Sequence, residues 1–288
     1  MSLSRFFHKI RIVLEMIRFS HSVFALPFAL IAMLIAAGGW PEPRIVLWIV
    51  LACFFARSAA MAFNRLADER IDAANPRTAS RALPRGLLTR QFVWLFTIFC
   101  IAGFIVSAGM LNRLCLILSP LALVVLLGYS YTKRFTSFSH LVLGLALGIA
   151  PVGAWIAVRG SFALTPLVLC AGVLLWVAGF DIIYSCQDYE HDLRAPLFSL
   201  PKALGLRAAL HVSTALHVIA SALFISIYFL GHLGIYYLVA SVVAMVLMIY
   251  EHALVRPNDL SRVNAAFFTV NGVISIALLG ATILDFFM

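Results

Sequence analysis

Long apolar runs separated by short polar segments dominate the sequence. A bilayer core about 30 Å thick needs roughly 20 mainly apolar residues for each helical span. Nine runs meet this requirement, so the pattern predicts an all-α polytopic membrane protein with nine transmembrane helices and a single domain over residues 1–288. The approximate limits of the runs are 19–38, 44–63, 91–110, 113–131, 141–158, 166–186, 208–230, 234–251 and 263–287.

The composition agrees with a membrane protein. Hydrophobic residues make up 63% of the 288 residues and charged residues only 11%, and the mean hydropathy is +1.03. These values lie outside the range of soluble globular proteins, so we expect the lipid bilayer to surround most of the chain. The first apolar run is too long for a signal-peptide core and is expected to stay attached. The five cysteines form no CxxC pair, which indicates neither a disulfide framework nor a cysteine metal site.

The basic residues predict the orientation of the chain. If the N-terminus is cytoplasmic, seventeen of the 21 lysines and arginines fall on the cytoplasmic side and three on the opposite side. This bias is typical of proteins of the inner or cytoplasmic membrane and places both polar clusters described below on the cytoplasmic side. The net charge of +9 is therefore attributed to topology, and no nucleic acid is expected as a partner.

Acidic residues are scarce and fall largely into two clusters. Seven of the twelve lie just after the second apolar run or at the end of the sixth. The first cluster places an amide and two carboxylates at i, i+4 spacing, and the second places three carboxylates at i, i+7 and i, i+11. Each set therefore shares one helix face. The residues concerned are Asn64, Asp68, Asp72, Asp181, Asp188 and Asp192.

Two carboxylate clusters of this kind predict a site for a hard cation. Carboxylates about 6 Å apart repel each other by roughly 3 kcal/mol at an effective dielectric constant near 20, and a cation between them removes that cost. Mg²⁺ prefers oxygen ligands and usually combines one or two carboxylates with water and phosphate. The alternative is that these are solvated acids paired with nearby arginines, which explains one cluster more readily than two clusters in matching register.

Basic side chains next to the acids extend the predicted site. Arg77 and Arg81 follow the proline that ends the first cluster's helix, which places them on a loop beside Asp72. Lys133 and Arg134 begin the next cytoplasmic loop. Carboxylates, a hard metal and guanidinium groups around one space are suited to a diphosphate. Contact with lipid headgroups is the alternative for any one of these cations.

Two further arginines are placed at the same site. Arg57 lies inside an apolar run, where burial of a charge costs about 2.5–3.5 kcal/mol, so it is expected to face a polar central cavity within the helices. It precedes Asn64 by seven residues and so shares the helix face of the first acidic cluster. Arg18, at the start of the first run, is expected to reach the same cavity or to extend to the headgroups.

The paired aspartate motifs, the nine predicted spans and the segment "RTASRALPRG" resemble the UbiA superfamily of intramembrane aromatic prenyltransferases over essentially the whole chain. The resemblance extends to the branch that prenylates 4-hydroxybenzoate or related aromatic acids in quinone biosynthesis. It implies Mg²⁺-dependent transfer of a polyprenyl group from polyprenyl diphosphate to an aromatic acid acceptor.

The resemblance also implies roles for individual residues. It makes the four aspartates of the motifs catalytic, assigns Lys133 and Arg134 to the diphosphate and brings Tyr184, in the segment "DIIYSCQDYEHD", into the site. Arg77 and Arg81 are assigned to the diphosphate by their position beside Asp72, and Arg18 and Arg57 to the aromatic substrate because its carboxylate needs a cation. The catalytic residues are Asp68, Asp72, Asp188 and Asp192, the diphosphate-binding residues are Arg77, Arg81, Lys133 and Arg134, and the aromatic-substrate residues are Arg18, Arg57 and Tyr184.

One position departs from the family pattern. The first motif of the family usually has an aspartate directly after the asparagine, where this chain has Arg65. The two aspartates on the helix face remain, so the activity is still expected. The Asn-Arg pair is associated with relatives that act on dihydroxynaphthoate-type acids in menaquinone biosynthesis, and that acceptor stays open as an alternative.

Three other classes of membrane protein explain the sequence less well. A CDP-alcohol phosphotransferase would need an Asp-Gly-xx-Ala-Arg core, which the sequence lacks. A membrane transporter would explain charges within the bilayer but not two aspartate sets accompanied by arginines. A purely structural membrane protein would need none of the aspartates. The histidines, including His140, are interpreted as interfacial or incidental, and "GLALG" at 144–148 as a site of close helix packing.

Overall fold

The structure is a computed structural model that describes the backbone of residues 3–288, and the side chains of residues 9–288 except those of residues 19–21. Within that part of the chain it is a bundle of α-helices without a β-strand. The helices are α1 Leu3–Met16, α2 Leu26–Ala37, α3 Pro43–Ala74, α4 Arg90–Leu111, α5 Arg113–Thr132, α6 Ser139–Arg159, α7 Leu164–Ser185, α8 Tyr189–Arg194, α9 Leu200–Leu204, α10 Leu206–Leu230, α11 Ile235–Leu254 and α12 Asn271–Phe287.

Eight helical segments of the described chain are long and apolar enough to cross a membrane. They correspond to the second to ninth predicted spans, so the all-α polytopic class is confirmed and the chain is an integral membrane protein. The segments are Pro43–Ala74, Arg90–Leu111, Arg113–Thr132, Ser139–Arg159, Leu164–Arg194, Leu206–Leu230, Ile235–Leu254 and Ala265–Phe287.

The first predicted span, 19–38, differs from the expected continuous helix, and the count of nine full-length spans is corrected to eight. A 3₁₀ helix over Phe19–Phe24 precedes a 12-residue α2, and Pro27 lies in the first turn of α2, where a missing N–H is tolerated. At 1.5 Å per residue α2 is only about 18 Å long. Arg18 and Phe24, at the two ends of this 3₁₀ helix, both line the central cavity.

Helix α3 is much longer than the apolar run that predicted it. Its 32 residues span about 48 Å, so its C-terminal turns extend beyond a bilayer core of about 30 Å. Those turns carry Asn64, Asp68 and Asp72, as the i, i+4 spacing predicted. The helix ends at Ala74 because Pro76 restricts the residue before it.

An aromatic core holds α2, α7 and α10 together. Trp176 is fully buried and packs against Phe28 and Phe180, with ring centroids 5.1 and 5.0 Å apart. Its indole Nε1 donates a 2.7 Å hydrogen bond to Asn271 on α12. Asn271 in turn donates to the carbonyl oxygen of Phe267 in a π-helical turn, Ala265–Val270, that precedes α12. This network fixes the end of α12 that borders the cavity.

Helices α6 and α7 approach each other closely through glycines. A Cβ atom on Gly148 would lie 2.8 Å from the carbonyl oxygen of Cys170, and one on Gly144 would collide with the carbonyl oxygen of Leu174. The interpretation of "GLALG" as a packing site is therefore confirmed. This contact sets the position of the C-terminal half of α7, which carries Asp181.

Candidate active site

A cavity of about 300 Å³ lies among α3, α5, α6, α7 and the turn before α2. It is lined by twelve of the thirteen side chains that the sequence predicts for the site. These are Arg18, Arg57, Asn64, Asp68, Asp72, Arg77, Arg81, Lys133, Asp181, Tyr184, Asp188 and Asp192. Arg134 does not line this cavity; its guanidinium lies behind the first cluster, 3.9 Å from Asp68 Oδ1, and donates to the carbonyl oxygen of Ala67.

Asp68 is the most enclosed acid of the first cluster, with 2% of its surface exposed. Its Oδ2 accepts hydrogen bonds from Lys133 Nζ at 2.5 Å and Asn64 Nδ2 at 3.1 Å. Its Oδ1 is buried and has no hydrogen-bond partner in the described part of the chain. A buried carboxylate oxygen without a donor is costly, which makes it a suitable ligand for a cation.

Asp72 lies between two arginines. Arg81 Nη1 donates to its Oδ1 at 2.6 Å and Arg65 Nη1 to its Oδ2 at 3.3 Å. Arg65 is only 7% exposed and enters the same cavity. The residue that departs from the family motif therefore pairs with Asp72, the last aspartate of that motif.

The second cluster is tied to the loop after α3. Arg77 donates to both carboxylate oxygens of Asp188, from Nε at 2.8 Å and from Nη2 at 2.5 Å, while Asn75 Nδ2 donates to Oδ1 at 2.9 Å. A third hydrogen bond runs from Arg77 Nη1 to the hydroxyl oxygen of Tyr184 at 2.9 Å. Burial acts to lower the pKa of Arg77, but its hydrogen bonds and charge attraction to Asp188 outweigh burial and raise that pKa. The two sequence motifs, over 100 residues apart, thus meet through Arg77.

His140 belongs to the cavity wall, contrary to its interpretation as incidental. Its Nδ1 lies 2.7 Å from Asp181 Oδ2, and the imidazole is 5% exposed. Asp192, the last acid of the second motif, is also buried at the cavity. No periodic pattern in the sequence could have paired His140 with Asp181, because they come from different helices.

The deeper end of the cavity contains Arg57 and aromatic rings. Arg57 Nη2 donates to the backbone carbonyl of Arg18 at 3.3 Å, while its Nε is buried without a hydrogen-bond partner among the described residues. Phe24 contacts Phe180 and Phe267, with ring centroids 5.2 and 5.4 Å apart. The cavity therefore has a charged mouth, an aromatic wall and the guanidinium of Arg57 at its deeper end.

Cationic side chains slightly outnumber carboxylates around the cavity. Six Lys or Arg side chains and five aspartates line it. Excess positive charge inside an apolar bundle is suited to a polyanion, because interactions between charges are stronger away from bulk water.

The site was also tested for its fit to Mg²⁺. Among the described residues no three carboxylate, imidazole or thiolate groups converge tightly enough to hold a metal by themselves. Mg²⁺ seldom needs such a cage, since substrate phosphate and water complete its octahedron. Asp68 Oδ1, which accepts no hydrogen bond within the described part of the chain and lies 3.9 Å from the guanidinium of Arg134, is an oxygen donor that such an ion can use. The residues present therefore fit Mg²⁺ bound together with a phosphate-bearing substrate.

Comparison with known proteins agrees with this arrangement. The model of the UbiA prenyltransferase family matches residues 25–273. The chain belongs to the UbiA prenyltransferase family. A 4-hydroxybenzoate octaprenyltransferase from Vibrio parahaemolyticus is 30% identical over 254 residues, which cover 87% of this chain and 89% of the relative. On these matches the chain is a prenyltransferase.

Solved structures of UbiA homologues share the fold. The apo structure of a homologue from Aeropyrum pernix K1 superimposes with a TM-score of 0.84 at 34% identity, covering 92% of this chain and 98% of the other. A homologue from Archaeoglobus fulgidus, bound to DMAPP and Mg²⁺, superimposes with a TM-score of 0.73 at 18% identity, covering 95% and 98% of the two chains.

The sequence missed several residues of the site. Arg65 was noted only as a departure from the motif, and no pattern marked the aromatic wall among the 23 phenylalanines of the chain. Asn75 was interpreted only as a helix end, although its side chain reaches Asp188. The spacing of Arg65 and Asp72, seven residues on one helix, could have paired those two; the other contacts depend on tertiary structure.

Proposed function

We propose that this UbiA-family prenyltransferase transfers a polyprenyl group from polyprenyl diphosphate to the ring of an aromatic acid of the 4-hydroxybenzoate type, with Mg²⁺ as cofactor. One observation carries the proposal: a single cavity within an apolar helical bundle unites both aspartate motifs with six cationic side chains. The names of the relatives that match most of the chain, 4-hydroxybenzoate octaprenyltransferases, support this choice of acceptor.

The mouth of the cavity binds the diphosphate in this proposal. Arg77, Arg81 and Lys133 line the cavity, and guanidinium groups bind phosphate oxygens strongly because the hydrogen bonds are charge-assisted. As the allylic C–O bond breaks, the leaving diphosphate gains negative charge, which these cations stabilise more strongly than the ground state.

The aspartate motifs hold the cofactor in this proposal. Asn64, Asp68 and Asp72 on one side and Asp181, Asp188 and Asp192 on the other are the residues that would bind Mg²⁺. When bound, Mg²⁺ neutralises diphosphate oxygens and so makes the diphosphate a better leaving group. The Mg²⁺ in the Archaeoglobus fulgidus homologue bound to DMAPP supports its extension to this chain.

The deeper end receives the acceptor. Arg57 offers a buried, unpartnered Nε that suits a carboxylate, and Tyr184 lies on the wall between the acceptor end and Arg77. A ring carbon beside the phenolic hydroxyl forms a C–C bond to the allylic carbon, the C–O bond to diphosphate breaks, and the ring carbon loses its proton. The aromatic wall of Phe24, Phe180 and Phe267 excludes water and presents π faces to the developing allylic cation.

A dihydroxynaphthoate of menaquinone biosynthesis is the second candidate acceptor. The observation that favours it is Arg65, which stands directly after Asn64 and lies buried in the cavity. In either case we propose that the protein lies in the inner or cytoplasmic membrane with its N-terminus and cavity mouth on the cytoplasmic side.

The test uses purified protein in nanodiscs with radiolabelled polyprenyl diphosphate. 4-Hydroxybenzoate and 1,4-dihydroxy-6-naphthoate are offered separately, with Mg²⁺ or with EDTA, to the wild type and to Asp68→Ala. The proposal expects a prenylated acid that depends on Mg²⁺ and falls by at least about 10²-fold in the variant. Product from the naphthoate alone would select the second acceptor. If polyprenyl diphosphate bound equally well with Mg²⁺ and with EDTA, and equally well to the wild type and to Asp68→Ala, the proposal would be contradicted.

A further inference from the structure

A second cavity, larger than the active-site cavity, opens on the other side of α3. It measures about 790 Å³ and lies between the C-terminal half of α3, the start of α4, the end of α5 and the segment 191–197. It shares only Ile71, His191 and Leu197 with the active-site cavity. None of the steps proposed above uses it.

One half of this second cavity is aromatic. Phe63 packs edge-on against Trp94 and against Tyr131, with both pairs of ring centroids 5.8 Å apart. Trp94 is 40% exposed on the outside of the apolar bundle, where lipid is the neighbouring phase. Tryptophan and tyrosine are enriched at the level of lipid headgroups, so this half lies where acyl chains meet the headgroup region.

The other half is strongly basic. Four arginines line it, against one glutamate. Arg90 is paired with Glu69 at 2.9 Å, and Arg134 lies over the ring of Tyr131 while it contacts the first acidic cluster. Arg70 and Arg194 are exposed and have no carboxylate partner in the described part of the chain. Two guanidinium groups thus remain available to an anion.

We propose that this second cavity binds the phosphate headgroup of an anionic glycerophospholipid. The arginine half meets the phosphate, and the aromatic half contacts the start of the acyl chains. A zwitterionic headgroup fits less well, because its ammonium would lie among the same guanidinium groups. The site is separate from the transfer reaction, and its occupancy does not depend on which acceptor the enzyme prenylates.

The test measures contact between lipid and Trp94. The wild-type protein is reconstituted in nanodiscs of phosphatidylcholine containing an increasing fraction of phosphatidylglycerol with bromine-labelled acyl chains, which quench nearby tryptophans. The signal of Trp94 is obtained by subtracting the quenching of a Trp94→Phe variant. Brominated phosphatidylcholine at the same fractions is the comparison lipid.

A matched pair of double variants tests the role of the arginines. Arg70→Gln with Arg194→Gln removes the two unpaired arginines of the cavity. Arg85→Gln with Arg207→Gln removes two exposed arginines that lie on the same predicted side of the membrane but outside the cavity. Both variants lose two positive charges, so only the position of the charge differs. Prenyl-transfer activity is measured for each double variant to establish that the variant is folded.

The proposal expects half-maximal quenching of Trp94 at a several-fold lower fraction of phosphatidylglycerol than of phosphatidylcholine. It expects the two lipids to quench Trp94 at nearly equal fractions in the first double variant, and the several-fold preference to remain in the second. If both double variants lost this lipid preference equally, the preference would come from general surface charge. That result would overturn the proposed lipid site. A loss of Trp94 quenching when farnesyl diphosphate is added would show that the cavity binds the donor substrate. This result would also overturn the proposal.

Discussion

Charged side chains around the active-site cavity are arranged as pairs, which explains how they are tolerated in so apolar a chain. Asp72 accepts from Arg65 and Arg81, Asp68 from Lys133, and Asp188 from Arg77. Removing one partner of such a buried pair leaves an uncompensated charge, which costs about 3–5 kcal/mol. The sequence predicted the carboxylates through their helical spacing, but it did not predict their partners, since these come from other helices and loops.

Arg57 is expected to determine affinity for the acceptor. Arg57 lines the cavity, and its buried Nε has no hydrogen-bond partner among the side chains and backbone that the structure describes. In Arg57→Gln the KM for the aromatic acid should rise roughly 10- to 150-fold, the loss expected for a hydrogen bond to a charged group, while the KM for the donor changes little. Steady-state kinetics with each substrate varied in turn measures the two values.

The control for this residue is Arg44→Gln, because Arg44 donates to the carbonyl oxygen of Met110 outside the cavity. A second control is an acceptor analogue with a hydroxymethyl group in place of the carboxylate, for which wild type and Arg57→Gln should differ little. A rise in the KM for the donor alone would contradict a carboxylate-binding role.

Substitution of Arg65 by aspartate is expected to make the thermal stability of the protein depend more strongly on Mg²⁺. Arg65→Asp would convert a cavity with six cationic and five acidic side chains into one with five cationic and six acidic. Without metal the added repulsion beside Asp68 and Asp72 should lower the melting temperature by several degrees. Mg²⁺ should then raise the melting temperature of the variant by more than that of the wild type.

Thermal unfolding in detergent, with EDTA and with Mg²⁺, measures this difference. Arg65→Gln is the comparison, since it removes the cation without adding an acid and should show a smaller response to Mg²⁺. If the melting temperature of Arg65→Asp were no more sensitive to Mg²⁺ than that of the wild type, Asp68 and Asp72 would not lie at a cation site.

At the scale of helices, hydrophobic runs predicted where eight segments lie but not how each one ends. The run 44–63 stops eleven residues before α3 does, because the last turns of the helix are polar. They remain helical through the i, i+4 pair of Asn64 and Asp68 and the i, i+7 pair of Arg65 and Asp72. The run 19–38, in contrast, is continuously apolar in the sequence and predicts one unbroken helix. In the structure Arg18 adopts a left-handed conformation with φ of 49°, and a 3₁₀ helix follows it. Hydrophobicity alone cannot distinguish a broken helix from a straight one.

The close packing of α6 against α7 should be sensitive to a single methyl group. Gly144→Ala places a Cβ into the backbone carbonyl of Leu174, and backbone cannot move aside as a side chain can. We expect a loss of roughly 1–3 kcal/mol of stability, measured as a lower melting temperature.

Gly153→Ala on the same helix is the matched control, because its Cβ would meet no atom within 4 Å. That variant should be neutral or slightly more stable, given the higher helix propensity of alanine. Equal effects of the two variants would contradict close packing at Gly144.

For the molecule as a whole, the distribution of charge and the position of the cavity agree. The side predicted to receive seventeen of the 21 basic residues is the side where both aspartate motifs meet. A diphosphate cannot cross a bilayer unaided, because its charges are too costly to bury. The donor must therefore keep its diphosphate at the cavity mouth while its apolar tail remains among the helices or in lipid.

This topology can be tested with two introduced cysteines. Ser80 is exposed on the loop between α3 and α4, beside the cavity mouth, and Ser161 is exposed on the loop between α6 and α7, at the other end of the bundle. The positive-inside rule predicts that Ser80→Cys faces the cytoplasm and Ser161→Cys the opposite side. Each is introduced after replacement of the five natural cysteines, which are buried or half-buried.

A membrane-impermeant maleimide is then applied to intact spheroplasts and to inverted vesicles. We expect Ser161→Cys to react in spheroplasts and Ser80→Cys only in inverted vesicles, with both reacting once the membrane is permeabilised. Prenyl transfer by the cysteine-free variant establishes that its fold is native. The opposite labelling pattern would place the cavity mouth away from the cytoplasm. The basic residues of these loops would then serve diphosphate binding alone. The orientation predicted from the distribution of lysines and arginines would be wrong.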